Sequence, residues 1–177
     1  KGGYASIPVV FAARLLKIPI IIHESDAVPG RANKWAAKFA ERIGVSWPDA
    51  YEYFPSEKTA LTGQPVRAQL LIPEKHGARE FLKLGKDTPT ILVLGGSQGA
   101  KVLNEAVMSI LPQLVKKYQI LHQTGIKNFD EVSTLASVIL TSAEEKNAYR
   151  PFGYFTVLAL KMAAGAADLV VSRAGST

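Results

Sequence analysis

The sequence predicts an α/β protein built on parallel sheets, and three observations carry that expectation. Apolar runs at Ile18–Ile22, Thr90–Leu94, Tyr118–His122 and Leu169–Ser172 are short and show little polar alternation, as strands buried on both faces do. Each run opens directly into a polar or glycine-bearing turn. Segments with helical spacing fill the intervals, and strands alternating with helices imply βα units paired in parallel.

The elements follow in order. Gly2-Gly3-Tyr4 is a turn, and Pro8 suits the first turn of a helix continuing through Val9–Leu16. The strand Ile18–Ile22 delivers His23-Glu24-Ser25-Asp26 to its carboxyl end, where open α/β sheets bind ligands. A histidine beside a glutamate there can orient a hydroxyl or accept its proton; a satisfied structural histidine is the competing reading. Val28-Pro29-Gly30 turns the chain into a helix over about Ala32–Ile43, on which Lys34, Lys38 and Arg42 form a basic stripe beside Trp35 and Phe39. That stripe fits an anionic lipid surface or an ordinary solvated face. Trp47-Pro48 and Phe54-Pro55 punctuate a less regular stretch. Thr59–Thr62 reads as a short strand, and Gly63-Gln64-Pro65-Val66-Arg67 as a domain hinge.

Beyond the hinge, Leu71–Asp87 is a linker with a short helix over Ala78–Leu84, closed by Gly85. The central unit is Thr90–Ala106: a buried strand, the turn Gly95-Gly96-Ser97-Gln98-Gly99, and a helix carrying Val102, Leu103, Ala106 and Val107 on one side. Unpaired N–H groups and the positive dipole end of that helix favour an anion, and glycine lets a phosphate approach the backbone. A turn that only packs is the alternative. Pro112 is expected to break or kink the helix. Tyr118–His122 ends in Gln123-Thr124-Gly125, a helix near Phe129–Ala136 follows, and Val138–Tyr149 receives no assignment. Val157–Ala167 is a helix of small residues, and Leu169–Ser172 leads into Arg173-Ala174-Gly175-Ser176-Thr177.

The kind of phosphate can be narrowed. Ser97 occupies the second glycine position of the dinucleotide fingerprint G-x-G-x-x-G. The P-loop pattern nearly fits Gly95–Val102, but Ala100 replaces its glycine and Val102 cannot offer a hydroxyl to magnesium. ATP hydrolysis and NAD chemistry are therefore disfavoured, and a nucleotide-sugar diphosphate remains.

Composition sets outer bounds. With 177 residues, 47% of them hydrophobic, the chain suits one domain or two small ones. It contains no cysteine, hence no disulfide framework or thiolate metal site. The net charge of +6 is divided evenly on either side of Arg67, so no basic tail singles out nucleic acid. A diffuse positive field fits anionic substrates or anionic lipid. No apolar run approaches the roughly 20 residues that span a bilayer. Glu24-x-Asp26 is too common a spacing to argue for a metal. The chain starts without methionine and stops inside a glycine turn, which reads as an excerpt of a longer protein.

Seven motifs taken together resemble the bacterial family of N-acetylglucosaminyltransferases that make the second lipid intermediate of peptidoglycan. They are Gly3-Tyr4-x-Ser6-x-Pro8, the strand ending His23-Glu24, Pro29-Gly30-x-x-Asn33, Gly63-x-Pro65-Val66-Arg67, Gly95–Ala100, His122–Gly125 and Ala167–Gly175. The resemblance implies a GT-B fold of two Rossmann-like domains facing a cleft, both only partly present here. Residues 1–67 would be the carboxyl-side part of the acceptor and membrane domain, and 68–177 the amino-side part of the donor domain.

It also implies the partners: UDP-N-acetylglucosamine, a lipid-linked muramyl pentapeptide acceptor and the anionic cytoplasmic face of the inner membrane, to which the enzyme is peripheral. No cofactor or metal is implied. By the match, Asp26, Arg67, Ser97, Gln98, Val157, Ser176 and Thr177 fall at donor positions. His23 and Glu24 fall at catalytic positions, and Tyr4, Asn33, Asn104 and Arg173 at acceptor or structural ones. Asp26 replaces the family's usual asparagine, which removes a donor and adds a charge. The family's glycine-rich amino-terminal loop would precede Lys1, and its ribose-binding glutamate and sugar-reading glutamines would follow Thr177. The implied reaction is inverting displacement. Another GT-B glycosyltransferase (one acting on diacylglycerol, for instance), a UDP-sugar epimerase, and a nucleotide-binding fragment without turnover stay open beside it.

Overall fold

The computed structural model describes residues 3–96 and 99–173. It divides between Val66 and Arg67 into two units, each with its own sheet and core.

The first unit runs α1 (Ser6–Leu15), β1 (Ile21–Glu24), α2 (Arg31–Ala36), β2 (Arg42–Val45), α3 (Pro48–Tyr51) and β3 (Thr59–Leu61). The three strands are parallel in the order β1-β2-β3, with His23 opposite Gly44 and Val45 opposite Leu61. Val10, Ile22, Ile43, Val45, Ala50 and Phe54 close the core with the small side chains Ala36, Ala37 and Ala40.

Two expectations need correction. The first strand lies three residues later than the apolar run suggests, so His23 and Glu24 are part of β1 rather than of the turn after it. Lys17, at φ 55°, ends α1, and Ile18–Ile20 serve as the connection. The helix expected over Ala32–Ile43 stops at Ala36, and Arg42–Val45 is the central strand. Tertiary burial overrides local helical spacing there: Ile43 and Val45 are 1% and 0% exposed, and β-branched side chains pack well on a pleated sheet. Lys58 Nζ stabilises the early stop by donating to the carbonyls of Ala37 and Ala40, at 2.7 and 3.1 Å. Lys34, Lys38 and Arg42 thus lie on a helix, a turn and a strand, and the basic stripe does not form.

The second unit contains α4 (Ala78–Phe81), β4 (Thr90–Leu94), α5 (Lys101–Leu114), β5 (Gln119–Gln123), α6 (Phe129–Ile139), α7 (Ala143–Ala148), β6 (Tyr149–Phe152), α8 (Val157–Ala166) and β7 (Leu169–Ser172). All pairings are parallel, in the order β6-β5-β4-β7. Val93 and Ile120 face α5 and α6, whereas Leu92 and Leu121 face α4 and α8. Pro112 does not end α5, which runs on to Leu114 with Leu111 fully buried. The unassigned stretch holds α7, opened by a capping box in which Ser142 Oγ accepts from Glu145 N–H while the Glu145 carboxylate accepts from Ser142 N–H.

The chain steps outward from β4 through β5 to β6, then returns by α8 to place β7 on the other side of β4. Doubly wound sheets bind ligands beyond the strand ends where the order reverses in this way.

Candidate active site

At that reversal the carboxyl ends of β4 and β7 deliver Gly95-Gly96 and Arg173 to the same edge. Gly95 N–H donates to the Gln123 carbonyl at 3.2 Å, and Gly99 N–H returns to the Gly96 carbonyl at 3.0 Å. Gly96 and Gly99 have φ of +83° and +76°, a region open to glycine at little cost. A Cβ on Gly99 would overlap the Thr124 carbonyl and the Asn128 amide, and one on Gly96 would stand 3.3 Å from Arg173 Nη2. The turn therefore needs both glycines, and an arginine stands beside it.

α5 begins directly after the turn with Ala100 at its N-cap and no side chain capping it. Its first N–H groups and the positive end of its dipole open on the same edge as the Arg173 guanidinium, an arrangement whose chemistry favours an anion. The start of α8 is at the same edge, since α8 follows the carboxyl end of β6. Val157 is its first residue, 37% exposed, behind Thr156, whose hydroxyl accepts from Ala159 N–H at 3.2 Å. Arg67 is exposed at the head of this unit, with no side-chain partner among the described residues. The expected donor residues Ser97, Gln98, Ser176 and Thr177 lie outside the described residues.

Beneath the turn, Asn104 is 3% exposed and tied to Thr124 and His122, so its place is structural. Burial lowers the His122 pKa to about 4, keeping the ring neutral, and raises that of the Tyr149 hydroxyl beside it. Neither Tyr149 nor Asn128 gave any sign in the sequence of belonging to this edge.

The first unit gathers a second cluster at the carboxyl ends of its strands. Glu24 is 3% exposed, and its carboxylate accepts four hydrogen bonds. They come from the backbone of Ser25, Asp26 and Gly30 and from Asn33 Nδ2, at 2.9–3.2 Å. His23 Nε2 donates to the Gly63 carbonyl at 3.1 Å, and its Nδ1 is buried without a partner. Gly44 makes room for that ring, since a Cβ there would stand 3.1 Å from His23 Cδ2. Ser46 Oγ donates to Gln64 Oε1 at 2.8 Å.

In this arrangement neither His23 nor Glu24 presents a free basic atom to solvent; both hold loops. Asn33 is buried with Glu24, whereas Asp26 is exposed. Tyr4, 89% exposed, borders a cleft of about 470 Å³ with Ile7, Arg31, Ala32 and Trp35. Sequence reading missed Gly44 and Ser46, which only the strand register brings beside His23.

Comparison with known proteins shows where this pair of sheets occurs. The glycosyltransferase family 28 N-terminal domain matches residues 1–45, and the family 28 C-terminal domain matches residues 90–177. The chain belongs to glycosyltransferase family 28. Within family 28, it is 42% identical over 99% of its length to a Bacillus cereus protein named UDP-N-acetylglucosamine--N-acetylmuramyl-(pentapeptide) pyrophosphoryl-undecaprenol N-acetylglucosamine transferase 2. It is 38% identical, again over 99% of its length, to the Clostridium perfringens transferase of the same name without the number. It covers 47% and 46% of those two proteins, so this family 28 chain spans about half the length of the curated relatives it matches.

Among solved structures, Acinetobacter baumannii MurG aligns with 99% of the chain and 46% of its own length, at TM-score 0.60 and 31% identity. Anabaena Alr3699/HepE, solved with UDP and glucose, aligns with 94% of the chain and 49% of its own length, at TM-score 0.56 and 12% identity, a likeness of fold alone. The expected α/β fold with parallel sheets is borne out, and it is the GT-B fold of family 28.

Proposed function

We propose that the full-length protein transfers N-acetylglucosamine from UDP-N-acetylglucosamine to undecaprenyl-pyrophosphoryl N-acetylmuramyl pentapeptide. The observation that carries this reading is 42% identity, over 99% of the chain, to a transferase of that name. The unit from Arg67 onward would hold the donor, and the unit up to Val66 would serve the acceptor and the membrane.

The proposed chemistry is a direct displacement. The acceptor hydroxyl attacks the anomeric carbon while a general base takes its proton, the bond from that carbon to the diphosphate oxygen breaks, and UDP departs with inversion. Charge then grows on the diphosphate, where the N–H groups opening α5 and the Arg173 guanidinium can meet it without reorganising. Arg67, Ser97 and Gln98 are assigned to the same diphosphate, Val157 to the base through its backbone, and Ser176 and Thr177 to the ribose and sugar. Asp26 is assigned to the donor side of its own loop. His23, Glu24 and Asn33 serve as positioning residues, because His23 Nε2, the Glu24 carboxylate and the Asn33 amide hold loops at the sheet edge.

The enzyme would work peripherally at the cytoplasmic membrane face. Among the described residues, no helix is long and apolar enough to cross a membrane. α1 is the surface suited to docking: Phe11, Leu15 and Leu16 are 55–70% exposed beside Arg14 and Lys17. The test of function is a donor-sugar screen with purified lipid acceptor and the full-length protein. Transfer specific to UDP-N-acetylglucosamine is expected; transfer only to diacylglycerol, or only of another sugar, would overturn the reading.

A further inference from the structure

The donor edge rests on a buried chain of polar groups that the proposed chemistry leaves unused. Asn104 Nδ2 donates to the Thr124 carbonyl at 3.0 Å, which turns its Oδ1 toward His122 Nε2 at 3.1 Å. On the other side of the ring, His122 Nδ1 lies 2.9 Å from the Tyr149 hydroxyl. Asn104, His122 and Tyr149 are 3%, 0% and 5% exposed. Since the amide nitrogen is committed to a carbonyl, Oδ1 accepts from Nε2–H, and Nδ1 accepts from the tyrosine. The hydrogen bonds therefore run one way, from Tyr149 through His122 and Asn104 to Thr124.

That direction matters because of what rests on Thr124. Its carbonyl also accepts from Asn128 Nδ2 at 3.0 Å, and Gly99 packs against it too closely for any side chain. The neighbouring carbonyl, Gln123, holds the other limb of the glycine turn through Gly95 N–H. Two successive carbonyls, the last of β5 and the one just after it, thus seat both limbs of the proposed anion-binding turn. An apolar side chain at position 122 would fill the same core without orienting either carbonyl, whereas a fully satisfied polar chain specifies one arrangement.

We propose that His122 is a positioning residue of the donor site, which fixes the diphosphate-binding turn through Asn104 and the Thr124 carbonyl. The proposal deepens the donor-site reading given above and rests on it. Its test compares His122→Leu, which cannot donate, with His122→Gln, whose amide can replace Nε2–H. Val132→Ala, a truncation in the same core cluster, is the control for lost stability alone. Full-length variants are titrated with UDP by calorimetry, and backbone amide hydrogen exchange is followed over residues 95–104.

His122→Leu should weaken UDP binding about tenfold, the scale of one lost hydrogen bond, and speed exchange in the turn. His122→Gln should restore both, and Val132→Ala should keep wild-type affinity at a comparably lowered melting midpoint. Wild-type affinity and exchange in a folded His122→Leu protein would overturn the proposal, as would affinity losses that follow stability across all three variants. If the wild type itself fails to bind UDP, the donor-site reading falls, and the exchange pattern still decides whether His122 positions the turn.

Discussion

Glu24 shows how a residue in a catalytic-looking motif can be occupied by its own neighbourhood. Its carboxylate faces four N–H donors, so replacing one oxygen with an amide NH2 would set donor against donor. Glu24→Gln is therefore expected to lower unfolding stability by about 1–3 kcal/mol, measured by denaturant titration. Unchanged stability, with one ionisation removed from the pH profile of kcat, would make it a proton carrier instead. His122 supplies a prediction of its own. Burial depresses its folded pKa to about 4 from 6.5, so the unfolded chain binds a proton first as pH falls. The contribution is complete above pH 6.5 and drains away down to pH 4, a loss of about 3 kcal/mol. His122→Gln should flatten that part of the stability–pH curve; an unaltered slope would assign it to other groups. Motif reading placed His23, Glu24 and the glycine turn at sheet edges correctly. It could not show that His23 Nε2 and the Glu24 carboxylate were already engaged, because hydrogen bonds such as His23 to Gly63 join residues far apart in sequence.

At the scale of elements, strands β4 and β7 were legible to the residue because their apolar runs end abruptly at a glycine or a polar group. The stretch 32–45 was not. Its alanines and spaced cations favour a helix locally, while the burial of Ile43 and Val45 that makes β2 is a tertiary effect. α7 was signalled by Ser142-x-x-Glu145, a capping box that its short and polar helix concealed. Loss of the basic stripe moves the membrane expectation to α1. Arg14→Glu with Lys17→Glu should reduce co-sedimentation with phosphatidylglycerol vesicles well over tenfold, at about 1 kcal/mol for each basic residue near the surface. The triple change Lys34→Glu, Lys38→Glu, Arg42→Glu should have the smaller effect. The reverse ranking, with both proteins folded by circular dichroism, would reject α1 as the docking surface.

For the molecule as a whole, the proposed transfer uses N–H groups and guanidinium to meet the departing diphosphate. Glu24, the better buried half of the Glu24-x-Asp26 pair, is held by four donors. Transfer should therefore continue at an undiminished rate in excess EDTA, and an absolute need for magnesium or manganese would refute this account of the leaving group. The reversal of strand order also has a consequence for biosynthesis. β4 is paired on one side by β5, which follows soon after, and on the other by β7, whose partner contacts join Ile91 to Leu169. A ribosome releases the chain from its amino end, so the glycine turn emerges long before the arginine that shares its edge. Until β7 has left the exit tunnel, the nascent protein holds one half of the proposed donor site, so a ligand of that site would assist folding only late, after nearly all of this segment has been made.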